Sequence, residues 1–135
     1  MPKKIFPLLS VLALSSLAIL FLITAESPDH QRLRESFSID ATYYPEEQYA
    51  EIIFADKTQR TSSVIMEILG MEDSYQKTFD DYQFVERVLF SEPPKYGWSI
   101  HPIVLKINHP DFGTIELKTE IHSVGDDVPS VIFST

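Results

Sequence analysis

From Phe37 onward, apolar side chains recur at every second position in short runs, and each run is stopped by proline, glycine or paired acids. A pleated strand points successive side chains to opposite faces, so this spacing builds sheets with one buried face. A helix needs a three-to-four-residue recurrence, and no stretch after residue 35 sustains one over several turns. Composition agrees. Residues 26–135 hold 18 Ile and Val against 8 Ala and Leu, together with 14 aromatics. β-Branched and aromatic side chains fit a half-buried pleated surface and crowd a helix.

The candidate strands begin with Phe37–Tyr43, which sets Phe37, Ile39, Ala41 and Tyr43 on one face. Ala50, Ile52 and Phe54 mark a second, and Val64, Met66 and Ile68 a third that ends at Gly70. Tyr75–Phe79, Tyr82–Phe90, Ile100–Asn108, Thr114–His122 and Ser130–Phe133 complete the set. Short strands at close intervals predict an all-β sandwich, with a closed barrel as the alternative. In pattern the chain resembles an immunoglobulin- or fibronectin-III-like β-sandwich of about 7–8 strands. The resemblance rests on strand number and spacing, since the sequence has no cysteine pair and no tryptophan signature.

One hairpin is readable in detail. His109-Pro110-Asp111-Phe112-Gly113 forms a turn between two alternating runs, and two registers compete. One pairs His101 with His122, Ile103 with Glu120 and Leu105 with Lys118. The other pairs Ile107 with Ile115, Leu105 with Leu117 and Ile103 with Thr119, and sets Lys106 against Glu116 on the opposite face. A one-residue slip flips a whole face, so burial selects the second. That register puts His101 on the apolar face opposite Ile121, and His122 on the polar face with Glu116, Lys118 and Glu120. The histidines then diverge, and no metal site is expected from them. Val131-Ile132-Phe133 is apolar on both faces, which predicts a central strand or an edge covered by a partner.

The N-terminus is a separate object. From Ile5 to Ala25, 21 positions carry no charge. At about 1.5 Å per residue such a helix spans roughly 31 Å, the thickness of a bilayer core. The segment 1–25 is therefore expected to be an N-terminal transmembrane helix that anchors the chain, or a signal peptide cleaved after Ala25. Lys3 and Lys4 keep the amino end inside. Residues 26–35 read as a polar spacer and 36–135 as an extracytoplasmic β-sandwich. The expected location is the cell membrane, single-pass, with the C-terminal domain outside the cytoplasm; the alternative is secretion.

Charge and motifs narrow the function. Residues 26–135 hold 9 Lys and Arg against 20 Asp and Glu, a net charge of −11. A basic surface for nucleic acid is missing. Cysteine is absent, which excludes thiolate chemistry and disulfides. No nucleophile elbow or phosphate-binding glycine loop occurs. Four acidic pairs, Glu46-Glu47, Glu72-Asp73, Asp80-Asp81 and Asp126-Asp127, offer oxygen ligands but not the spacing of a calcium loop. The loop Pro93–Trp98 presents Tyr96 and Trp98 as a candidate partner or ligand surface; the competing reading is that Trp98 plugs the core. The expected function is a non-catalytic, protein-binding or scaffolding subunit of an envelope or membrane complex, with no cofactor and no metal. A secreted carbohydrate- or Ca²⁺-binding module and a carboxylate-based hydrolase are the alternatives.

Overall fold

Alternating burial along each strand divides the body into two sheets. The computed structural model describes residues 28–135, and among them one α-helix precedes nine strands. Helix α1 is Pro28–Ser36. Strands β1 (Phe37–Tyr44), β2 (Tyr49–Asp56), β5 (Gln83–Leu89) and β8 (His122–Ser123) form a four-stranded sheet in the order β5-β2-β1-β8. Strands β3 (Ser63–Ile68), β4 (Tyr75–Phe79), β6 (Ile103–His109), β7 (Gly113–Thr119) and β9 (Ile132–Ser134) form a five-stranded sheet in the order β4-β3-β6-β7-β9. The chain is thus mostly β and layered as two sheets. The expected anchor or signal, 1–25, lies outside the described residues; among the described residues no helix is long and apolar enough to cross a membrane.

Two units divide the chain, residues 1–32 and Leu33–Thr135, and the second contains both sheets. Its core joins Ile39, Tyr43, Ile52 and Phe54 of the first sheet to Met66, Leu105, Ile107 and Leu117 of the second, all buried. Burying such a side chain contributes about 1.5–3 kcal/mol each. The Tyr43 hydroxyl satisfies itself by donating to the Phe90 carbonyl at 3.0 Å.

The β6–β7 hairpin adopts the register that burial selects. Ile107 faces Ile115, Leu105 faces Leu117, Ile103 faces Thr119, and Lys106 faces Glu116 on the other side.

Within the polar spacer expected over 26–35, Pro28–Ser36 is helical, and Leu33 is buried in the core. Proline is tolerated in a first helical turn, and Arg34 suits the C-terminal end. A lone leucine gives no periodicity to read. The strand expected from Ile100 begins at Ile103, because Trp98–Ile100 is a 3₁₀ turn and Pro102 brings no N–H to a ladder. The strand expected over Thr114–His122 ends at Thr119; the chain then buries Ile121 and changes sheet, so that His122 and Ser123 pair in parallel with Thr42 and Tyr43 of β1. Of the two positions expected for the C-terminal strand the structure shows the edge, with β9 paired to β7 through Glu116–Lys118.

Candidate interaction surface

The loop residues singled out from sequence separate in the fold. Tyr96 is 77% exposed. Trp98 is half-buried and packs its ring against Tyr43 and Phe90, at centroid distances of 4.9 and 5.2 Å. Its indole N–H reaches Ser123 Oγ at 3.4 Å. Trp98 therefore caps the core, and Tyr96 alone is presented to solvent.

The acidic pairs stay apart as well. Glu46-Glu47 lies in the β1–β2 turn, Glu72-Asp73 between β3 and β4, Asp80-Asp81 between β4 and β5, and Asp126-Asp127 after β8. Among the described residues no three His, Asp or Glu side chains gather as a metal site.

Two histidines meet aspartates that sequence reading left unconnected. His109 and Asp56 have fully buried side chains. Asp56 ends β2 and organises the turn that follows. Its Oδ1 accepts from the Thr58 N–H and hydroxyl at 2.8 and 2.7 Å. Its Oδ2 accepts from the Thr61 N–H and hydroxyl at 3.0 and 2.7 Å and from the Arg60 N–H at 3.2 Å. His109 Nδ1 accepts from the Asp111 N–H at 3.1 Å, so a neutral ring carries its proton on Nε2. Nε2 stands 2.7 Å from Thr58 Oγ1 and 3.3 Å from Asp56 Oδ2. Phe37 and Phe112 cover the imidazole, with centroids 5.6 and 4.9 Å away. As a nucleophile–base pair this arrangement runs backwards, since the threonine proton goes to the carboxylate and the imidazole donates to the hydroxyl. Burial pushes the Asp56 carboxyl up, but the hydrogen bonds from Thr58 and Thr61 outweigh it and hold the pKa below the ordinary aspartate value.

The second meeting lies on the outer face of the four-stranded sheet. His122 Nε2 is 2.7 Å from Asp40 Oδ1 and 3.3 Å from Thr42 Oγ1. Thr42 donates to Asp40 Oδ2 at 2.7 Å. His122 Nδ1 is 3.2 Å from the Ser123 carbonyl oxygen. Burial again raises the Asp40 carboxyl, and the His122 and Thr42 hydrogen bonds with the His122 charge bring it below its ordinary value. The sequence signal for both sites is a repeated Asp-x-Thr, at Asp40-Ala41-Thr42 and Asp56-Lys57-Thr58.

Apart from Ser38, Gln83 and one ion pair, the rest of this face is apolar and aromatic. Tyr44, Tyr49 and Leu89 lie in one cross-strand row, and the tyrosine rings are 5.6 Å apart. Asp40, Ile53 and Val85 form another. Leu89 is 80% exposed, Val85 59% and Ile53 42%. Between the rows Arg87 binds Glu51 at 3.1 Å and covers the Tyr49 ring at 5.0 Å. Here Glu51 is paired with Arg87, and Asp40 is within hydrogen-bond distance of His122. The outer face of the five-stranded sheet is different. There Ile65, Lys106 and Glu116 share one row, and Glu67, Val104, Lys118 and Ile132 the next. Charged side chains run through its middle, as on an ordinary solvated face.

No family model, curated protein or solved structure matches the chain.

Proposed function

We propose that Leu33–Thr135 is a non-catalytic protein-binding domain of immunoglobulin- or fibronectin-III-like type, held outside the cytoplasm by the apolar segment 5–25 as a subunit of a membrane or envelope complex. The observation that carries this reading is the outer face of the four-stranded sheet. Tyr44, Tyr49, Ile53, Val85 and Leu89 make an apolar, aromatic surface on a strongly acidic chain, with Arg87 paired to Glu51 inside it and Asp40 bound to His122 and Thr42. Interface centres are depleted of free charge and enriched in tyrosine and apolar groups, whereas a face meant only for water is not. Strand order supports the fold type: β1, β2 and β5 share one sheet while β3, β6 and β7 share the other with β4 beside β3. That is the partition A-B-E against C-F-G with an added C′ strand.

The test is the size of the particle released from native membranes by mild detergent. The wild-type chain is expected in an assembly larger than its own monomer. Val85→Lys places a charge on this face, on its edge strand β5, without touching the core, and is expected to return the chain to monomer with its thermal midpoint unchanged. A wild-type chain that is already monomeric, or an assembly indifferent to Val85→Lys, overturns the reading.

A further inference from the structure

The four-stranded sheet ends in β5 and β8, the five-stranded sheet in β4 and β9. An unpaired margin invites another chain, and proteins blunt it by shortness or by charged side chains. β8 has two residues and β9 three. β4 exposes only polar side chains, Gln76, Lys77 and Thr78. β5 runs seven residues, Gln83–Leu89, with no lysine and no proline. Its two charges turn away from the margin. Glu86 binds Lys77 of β4 at 2.7 Å, beside the Phe79–Phe84 stack at 3.8 Å. Arg87 reaches back over β2, binding Glu51 at 3.1 Å with the Tyr49 ring 5.0 Å away. Among the described residues no strand pairs with β5 on the side away from β2.

Backbone direction shows what that margin offers. The Asp56 N–H donates to the Tyr82 carbonyl at 2.8 Å, and the Phe90 N–H to the Gln48 carbonyl at 2.9 Å. Tyr82 and Phe90, just beyond the two ends of β5, therefore both face β2. The Lys57 N–H donates to the Ser36 carbonyl at 2.8 Å, so the neighbouring residue along β2 serves β1 instead, as alternation requires. In an antiparallel ladder the N–H and C=O groups of Gln83, Val85, Arg87 and Leu89 then point away from β2. The side chains of these four residues are exposed. Two apolar rows of the outer face also stop at this strand. Along one, exposure rises from 42% at Ile53 to 59% at Val85; along the other, half-buried Tyr44 and Tyr49 lead to Leu89 at 80%.

We infer that β5 receives an extended segment of a partner protein by strand addition. The added strand lengthens the four-stranded sheet, and its main chain pairs with the outward groups of Val85, Arg87 and Leu89. Apolar side chains at alternate positions lie beside Val85 and Leu89 and complete the two rows. The inference rests on the outer-face reading above and states how the partner holds that face. A second copy of the chain does not fit. Residues 26–135 carry a net charge of −11, so two copies repel. Two β5 strands paired by a two-fold also run antiparallel, which sends the two β1 starts to opposite ends of the joined sheet, while that reading has both chains enter from one membrane.

The test compares backbone amide exchange in the assembly released from native membranes with exchange in the monomeric Val85→Lys chain. In the wild-type assembly Arg87 and Leu89 are expected to exchange roughly tenfold more slowly, or slower still, while Glu86 and Val88, already bonded to β2, change by less than about threefold. Slowing without this alternation, or no slowing, overturns the inference and leaves the outer-face reading standing. A wild-type chain that is already monomeric, or a Val85→Lys chain that still assembles, overturns both. Gln83→Pro removes one outward donor at the first residue of β5, where proline is tolerated, and is expected to lower the share of chain in the assembly by roughly fivefold. Its thermal midpoint reports whether the fold is intact; if it is not, the exchange pattern decides. A folded Gln83→Pro chain that assembles as fully as wild type, or an assembly holding only copies of this chain, overturns the inference.

Discussion

Asp40-Ala41-Thr42 and Asp56-Lys57-Thr58 each meet a histidine from far along the chain, and the two meetings end differently. In both, the threonine hydroxyl donates to the aspartate at 2.7 Å. The second imidazole nitrogen separates them. His109 Nδ1 faces a donor, the Asp111 N–H, so the neutral ring completes the cluster. His122 Nδ1 faces an acceptor, the Ser123 carbonyl, while Nε2 faces a carboxylate; both contacts are hydrogen bonds only when the ring is protonated on both nitrogens. Burial differs in step. The inner cluster is closed from water, and the outer one leaves Asp40 partly exposed. The same three residue types thus hold a turn in one place and fasten a two-residue strand in the other.

The largest effect is expected from the inner cluster. Asp56→Ala removes the buried carboxylate that receives the Thr58, Arg60 and Thr61 hydrogen bonds and leaves the buried Thr61 hydroxyl and His109 ring without it, and denaturant titration should show a loss of roughly 3 kcal/mol. Asp40→Ala, at a partly exposed pair, should lose about 1 kcal/mol or less. Equal losses would erase the contrast.

Acid sharpens it. Both carboxyls have folded pKa values lowered below the ordinary one, so the unfolded chain takes up protons first as pH falls. Their stabilising share is complete above the unfolded value and is lost as pH drops through each folded value. Urea midpoints followed from about pH 6 to about pH 2 should fall for the wild-type chain, and fall less steeply for Asp56→Asn.

Smaller effects remain local. His122→Gln should lower global stability by less than about 1 kcal/mol yet speed amide exchange at Val124, whose N–H binds the Tyr43 carbonyl at 3.0 Å. Gln59, inside the turn that Asp56 organises, has φ of 60°. Gln59→Gly relieves that left-handed conformation and should raise stability by roughly 0.5 kcal/mol in the same titration.

The two sheets were legible from residue alternation, and the β6–β7 register followed from matching Ile107 and Leu105 to Ile115 and Leu117. These features depend on local period and on burial of one face, which the order of residues states directly. The change of sheet at Ile121 was not legible, because Thr114–His122 keeps a strand's alternation past the point where pairing ends. Nor was either Asp–His cluster: 53 residues separate Asp56 from His109, and 82 separate Asp40 from His122, so only the folded topology joins them. The exposed face of Ile53, Val85 and Leu89 combines outward positions on β2 and β5, whose adjacency the sequence does not print.

The Phe79–Phe84 stack and the Lys77–Glu86 pair bind the two sheets along one margin, as a spine binds a book. Because β4 belongs to one sheet and β5 to the other, these two pairs couple the layers directly, and a substitution that disturbs either strand there is felt by both.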